Sequence, residues 1–284
     1  MRYLSAPAVL TALASTITLA PVASAADMPR KAVIAPAPVS SWTGFYAGVN
    51  AGWVGSDPAI SNAGTGIPDA VLGVVPGVSG GLAALASGPV SAGRTSGFIG
   101  GGQLGYNYQI NNWVVGVEAD LQGLSGSGST GTLATAGPVV GAAITSTLTV
   151  SANTEWLSTV RGRLGFLATP NVLLYGTGGL AFGGVTASAA LAQSGNNGFI
   201  GAGAGAFSDT SAGWAAGAGA EWMFAQKWTA KLEYLHYDLG TDTFAWNARG
   251  TPASGFFSGI VYQTESTSVQ FRGDIVRVGL NYKF

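Results

Sequence analysis

Ten charged residues have the types and spacing that could do chemistry: Glu118, Asp120, Glu155, Glu221 and Glu233, with Arg161, Arg163, Lys231, Arg277 and Lys283. General acid–base catalysis needs carboxyls whose surroundings hold them in different protonation states. Here the signs balance, five of each, and any two acids have bases at hand. That is a pattern for ion pairs rather than for a catalytic pair. His236 is the only histidine, in Tyr234-Leu235-His236-Tyr237-Asp238. It could be a haem or metal ligand at a rim, helped by the tyrosines, or an interfacial residue; the absence of a partner His or Cys favours the second. A Ser-His-Asp hydrolase could use only His236, and no G-x-S-x-G elbow surrounds it. Gly100-Gly101-Gly102-Gln103-Leu104-Gly105 matches G-x-G-x-x-G, but Tyr106-Asn107-Tyr108 follows where a dinucleotide site needs a helix. With 45 glycines in the chain, the match is chance. Residues 201–205 read as low-complexity loop by the same argument. No catalytic residue, cofactor or metal site is assigned.

The charges are carried by segments of period two. Phe45, Ala47, Val49, Ala51 and Trp53 form the first apolar face, and Phe98, Leu104, Tyr106 and Tyr108 the second. Trp113, Val115, Val117, Ala119 and Leu121 face away from Glu118 and Asp120; Trp156, Val160, Leu164 and Phe166 face away from Glu155, Arg161 and Arg163. Val172, Leu174, Leu180 and Phe182 follow. Trp214, Trp222 and Phe224 oppose Glu221, and Trp228, Leu232 and Tyr234 oppose Lys231 and Glu233. The last segment alternates Val276, Val278, Leu280, Tyr282 and Phe284 with Arg277 and Lys283, which completes eight. Successive side chains of a strand point to opposite faces, so each segment has one apolar and one polar face.

Three connections are tight, at 110–112, 168–171 and 225–227, and four are long, near 56–96, 125–153, 184–213 and 240–271. Short and long alternate strictly, so the long ones leave from one end. Transmembrane barrels connect their strands in this way, with short periplasmic turns and long outer loops. Aromatic positions bound the apolar faces at both ends, about 9–11 residues apart, the length a tilted strand needs to cross a bilayer. The expected girdles are Phe45, Tyr106, Trp113, Phe166, Trp222, Phe224, Trp228, Tyr282 and Phe284 at the tight-turn end. Trp53, Phe98, Trp156, Phe182, Trp214 and Tyr234 form the other. The fold expected is all-β: an eight-stranded antiparallel up-and-down transmembrane barrel with four long extracellular loops. A soluble sandwich or lipocalin-like barrel would leave these girdles without a reason. An eight-stranded barrel is only wide enough for side chains to fill it. Buried charges cost several kcal/mol each unless paired. The ten charges are therefore expected to form a network plugging the lumen, the alternative being a wet lumen with separately solvated charges.

Composition agrees. The chain of 284 residues has no cysteine, 9% charged residues and a net charge of -1. This excludes disulfides and thiolate metal sites and gives no basic excess for nucleic acid. Long apolar helical spans are absent beyond the N-terminus. Residues 1–25 read as a cleaved signal peptide, with Arg2, an apolar stretch, and Ala23-Ser24-Ala25 as the cleavage site. Residues 26–41 read as a Pro/Ala-rich periplasmic linker and 42–284 as the barrel.

Several motifs together resemble a known family. They are Ser41-Trp42-Thr43-Gly44-Phe45-Tyr46-Ala47-Gly48, Val160-Arg161-Gly162-Arg163-Leu164-Gly165, Leu174-Tyr175-Gly176-Thr177-Gly178-Gly179-Leu180-Ala181, Gly217-Ala218-Gly219-Ala220-Glu221-Trp222 and Val278-Gly279-Leu280-Asn281-Tyr282-Lys283-Phe284. The chain is similar in these to the small outer-membrane barrels of alphaproteobacteria, the opacity-like porin-family surface proteins that include immunogenic outer-membrane antigens. The resemblance implies a bacterial outer-membrane protein surrounded by lipid. It also implies insertion by the barrel-assembly machinery through the final strand, with Val278, Leu280, Tyr282 and Phe284 as the assembly signal. A structural, surface-exposed, non-enzymatic role is expected, with a small-solute channel as the alternative and haem or other ligand capture at the rim as a third. The long loops match no motif, so no loop-borne ligand is carried over.

Overall fold

Alternating side chains account for the architecture, and the alternation runs further than the eight segments. The computed structural model describes residues 41–284; the expected signal peptide and the expected linker up to residue 40 lie outside the described residues. Eleven strands, not eight, form one antiparallel sheet. They are β1 Gly44–Ser56, β2 Ala59–Gly66, β3 Gly88–Ala92, β4 Thr95–Ile110, β5 Trp113–Ser125, β6 Ser129–Val139, β7 Ala142–Thr169, β8 Val172–Gly195, β9 Ile200–Ala225, β10 Trp228–Gly250 and β11 Val261–Lys283. Two short helices, α1 Asp69–Leu72 and α2 Val78–Ala86, interrupt the order, and a 3-10 turn spans Pro252–Phe257.

The pairings close on themselves. β1 pairs with β4, β4 with β5, β5 with β7, and β7 with β8. β8 then pairs with β9, β9 with β10, β10 with β11, and β11 returns to β1. Beyond the ends of β1, β4 and β5, the strands β2, β3 and β6 fill the same gap, bridging β11 to β7. β7 to β11 therefore run through both levels, and both levels are closed.

The residues expected in long loops are thus mostly strand. Residues 56–96 contain β2, both helices and β3, and residues 201–205 lie within β9. Their alternation escapes a sequence reading because it pairs small apolar residues with Ser and Thr, a weak contrast. The three tight turns lie between β4 and β5, β7 and β8, and β9 and β10. The hairpin joining β6 to β7 turns on Val140 (φ 45°) and Gly141 (φ 82°), both in the left-handed region that a two-residue turn of this hand demands.

Polarity inverts partway along the strands. On β11, Val276, Val278 and Leu280 point outward and are exposed, while Arg277 points inward and is buried. Further up the same strand Thr264 and Ser266 lie on the outer face, while Val269, Phe271 and Ile275 are buried within. The lower level has an apolar exterior and a charged interior; the upper level has a polar exterior and a largely apolar interior that also holds Asn62, Gln193, Gln263, Glu265 and Thr267. α2 packs in that interior through Leu82, Ala83 and Ala86, against β2, β6, β7 and β11.

Gly100 to Gly105 now has a structural reason. A Cβ on Gly101 would collide with the Leu121 carbonyl oxygen and come within 2.7 Å of Gln122 Cα, whereas Gly100 has nothing nearer than 3.6 Å. Gly101→Ala is expected to lower stability by about 1–3 kcal/mol, as overpacking does, and Gly100→Ala to change it by no more than about 0.5 kcal/mol. Thermal unfolding followed by gel mobility of the folded form measures both.

Candidate functional site: a charged layer in the lumen

The inward positions of the lower level bring four acids and four bases into one layer, all buried: Glu118, Asp120, Glu221 and Glu233 with Arg161, Arg163, Lys231 and Arg277. Register places them. Glu118 lies across from Arg161 on β7, Lys231 from Glu221 on β9, and Glu233 from Arg277 on β11.

Arg161 is the hub. Its Nη2 stands 2.8 Å from Glu118 Oε1 and 2.7 Å from Asp120 Oδ2, and its Nη1 3.1 Å from Glu233 Oε1. Arg277 Nε donates to Glu233 Oε2 at 2.7 Å and its Nη2 to Asp120 Oδ2 at 2.9 Å. Lys231 Nζ donates to both oxygens of Glu118, at 2.8 and 3.0 Å. Arg163 Nη2 donates to Glu221 Oε2 at 2.6 Å, and its guanidinium lies 4.1 Å from the centre of the Tyr175 ring. The layer is neutral, and each acid has at least one cation within hydrogen-bond distance. With Arg161 and Arg277 each 1% exposed, these charges are stable only through one another.

Uncharged side chains complete the layer, and the sequence reading did not single them out. Tyr46 OH donates to Glu118 Oε2 at 2.7 Å, and Tyr175 OH to Glu233 Oε1 at 3.1 Å. Thr229 and Asn281 both donate to Glu221, at 2.5 and 3.0 Å, and Gln122 donates to Asp120 at 2.8 Å. Each occupies an inward position of its strand. That parity was the available signal, since the same alternation located the charges.

Two of the ten expected charges are elsewhere. Glu155 is exposed, because a bulge between Thr154 and Trp156 shifts the register against β8 and turns it outward. Lys283 lies at the end of β11, beyond the layer, where its ammonium donates to the Ser41 carbonyl.

Apolar side chains lie on both sides of the charges. Toward the tight turns Trp42, Val114, Leu167, Leu173 and Met223 form a buried cluster, with Trp42 Nε1 donating to the Pro170 carbonyl at 3.1 Å. Toward the upper level comes the larger core around Leu148, Leu157, Leu235 and α2. The buried inward side chains thus fall in three layers, apolar, charged and apolar.

Outside, the girdle residues point away from the sheet: Phe45 is 67% exposed, Trp53 61% and Phe98 62%, and Trp113, Phe166, Phe182, Trp214, Trp222, Phe224, Trp228, Tyr234 and Phe284 are exposed as well. Tyr106, Trp156 and Tyr282 are half-buried. Tyr106 packs on Phe45, and Tyr282 on Trp228. His236 is at the upper edge of this band, its Nδ1 2.9 Å from Asp274 Oδ1, with Tyr234 OH donating to the same oxygen at 2.6 Å. Trp214 packs beside it. Among the described residues no group of three metal-ligating side chains is assembled.

Residues 12–284 match the family model described as the outer membrane protein beta-barrel domain. The chain is 38% identical over 268 residues to the 31 kDa outer-membrane immunogenic protein of Brucella melitensis, across 92% of this chain and 93% of that protein. It is 33% identical over 159 residues to a 22 kDa outer membrane protein of Rhizobium leguminosarum bv. viciae, across 54% of this chain and 61% of the relative. Among solved structures, the outer membrane protein OprG of Pseudomonas aeruginosa aligns at 15% identity with a TM-score of 0.41, across 86% of this chain and 98% of that one.

Arg161→Met leaves Glu118, Asp120 and Glu233 short of a buried cation, and is expected to destabilise the folded protein by about 3–5 kcal/mol. Glu155→Gln, on the exterior, should stay within about 0.5 kcal/mol of the parent. Equilibrium urea unfolding in lipid vesicles compares them.

Proposed function

This chain belongs to the outer membrane protein beta-barrel family and is an outer-membrane protein, and we propose that it serves as a closed structural barrel. In this reading eight strands cross the membrane: β1, β4, β5 and the lower parts of β7 to β11. The closed cycle of pairings supports it, because lipid offers no partner for an unpaired strand edge. The membrane band runs between the two girdles, from Phe45 to Trp53 on β1 and from Val276 to Phe284 on β11. The polar exterior above it, on β2, β3, β6 and the upper strand halves, stands in water on the extracellular side. A cleaved signal peptide and a periplasmic linker precede the barrel.

The observation that supports the functional reading is the buried, neutral charge layer. A neutral layer of paired charges has apolar clusters on both sides; in this reading it blocks a wet path for a solute, and each acid of the layer is held by a cation rather than free to act on a substrate. The protein is then a non-enzymatic, surface-exposed element of the envelope. Its partners are outer-membrane lipid and, during biogenesis, the assembly machinery, which takes hold of β11 through Val278, Leu280, Tyr282 and Phe284. The Brucella relative is an immunogenic outer-membrane protein, which accords with a surface-exposed role.

Purified monomer in planar bilayers is expected to show no stable openings. Defined openings that change with Arg161→Met or Glu118→Gln would overturn the closed reading in favour of a small-solute channel. Deletion of Phe284 is expected to reduce outer-membrane levels far more than deletion of residues 252–258; normal levels of that truncation would remove the assembly role of β11.

A further inference from the structure

Glu265 is, among the described residues, a fully buried acid that the charged layer does not use. It lies on β11, well above the aromatic band, and is 0% exposed. Its Oε2 accepts from Asn62 Nδ2 and its Oε1 from Gln263 Nε2, each at 2.5 Å. No Lys, Arg or His pairs with it among the described residues. The groups facing it are uncharged. They are Asn62 and Gly64 on β2, Gln263 and Thr267 on β11, Trp246 across the ladder on β10, and α2, which carries no charged residue. Tyr262, the nearest other titratable group on β11, donates to Gln193 on β8.

The position of Glu265 relative to α2 gives it a consequence. Asn62 Nδ2 also donates to the Ala86 carbonyl, at 2.9 Å, so one amide bridges the carboxyl and the C-terminal end of α2. A side chain on Gly64 would meet both the Ala83 carbonyl, at 2.7 Å, and Glu265 Oε1, at 3.0 Å, so these two oxygens share the space above that glycine. Helix C-termini carry partial negative charge, and an anion beside one is repelled. The N-terminal end has the opposite arrangement. There the Ser79 hydroxyl and the backbone amides of Ser79 and Gly77 donate to the Asp69 carboxylate, at 2.7, 2.9 and 2.6 Å, and hold its pKa below the ordinary value. One end of α2 is held by an anion, and the other, with its partial negative charge, faces the carboxyl of Glu265.

We propose that Glu265 is a proton-operated latch on α2: neutral, it lets the C-terminal turn seat against β2 and β11, and ionised, it unseats that turn. Burial pushes the carboxyl up to about 7, against the pull of its hydrogen bonds from Asn62 and Gln263. The seated state therefore binds a proton that the unseated state has lost. Seating is complete below the ordinary carboxylate range and weakens as pH rises through about 7. The latch acts on α2 alone. The Arg161 layer beneath stays in place, so the latch can fail without the closed-lumen reading failing, and the reverse.

The absence of native cysteine makes the test direct. Leu82→Cys, buried on α2, and Val71→Cys, exposed on α1, are labelled with a charged maleimide in separate full-length proteins in lipid vesicles; their rate ratio cancels the thiol's own pH dependence. The ratio is expected to rise about tenfold from pH 5 to pH 8, and to stay flat with Glu265→Gln. A flat ratio without that substitution, or an equal rise with it, overturns the latch. If Leu82→Cys loosens α2 at every pH, hydrogen exchange of residues 78–86 in the unaltered chain decides. Protection that falls about tenfold over the same range, after correction for intrinsic exchange, supports the proposal, and constant protection overturns it.

Discussion

Pairing between β1 and β11 is the constraint on which the remaining structure depends. It joins the two ends of the sheet, from Tyr46 opposite Lys283 to Ser56 opposite Gly273. Without it two strand edges would present unpaired amides and carbonyls, each costing several kcal/mol where there is no water. Closure also defines an inside, where the charged side chains are almost wholly buried. Every inward side chain must then find its partner among other inward side chains. The Arg161 layer is the outcome, and its neutrality follows from closure as much as from composition.

The same strands serve two solvents. Along β11 the outer face passes from Thr264, Ser266 and Ser268 to Val276, Val278 and Leu280, while the inner face passes from Val269, Phe271 and Ile275 to Arg277. A strand has only two faces, so both must change at the same height. The upper level is stabilised as a water-soluble protein is, by burying apolar surface around α2. In the proposed reading lipid covers the exterior of the lower level, and the charges buried inside it are held by one another. Trp42 closes the far end, so the charges are shielded from water on both sides, which strengthens their attraction and makes each one intolerable alone.

The eight lower segments and eight of the ten lumen charges were legible because the alternation there sets large apolar residues against charges. Glu155 was misjudged because a bulge adds a residue without changing composition, and parity past it no longer applies. Lys283 has the right parity, but its height along the barrel comes from the register with β1 and β10, which no single strand specifies. Residues 56–96 and 125–153 looked like loops because Gly, Ala, Ser and Thr give a weak period. Tyr46, Tyr175, Thr229 and Asn281 sat at readable inward positions, yet polarity without charge did not mark them.

The sequence by itself determined that the strands alternate, where the aromatic bounds fall, that the inward charges balance, and which family the motifs resemble. Those are properties of residue type and spacing within single segments. The tertiary structure decided which acid meets which base, that a second closed level stands above the first, and that α2 fills it beside Glu265. Those depend on the heights at which distant strands pair. A segment's own pattern repeats every two residues, so it is equally satisfied by neighbouring registers two residues apart; only the partner strand selects among them.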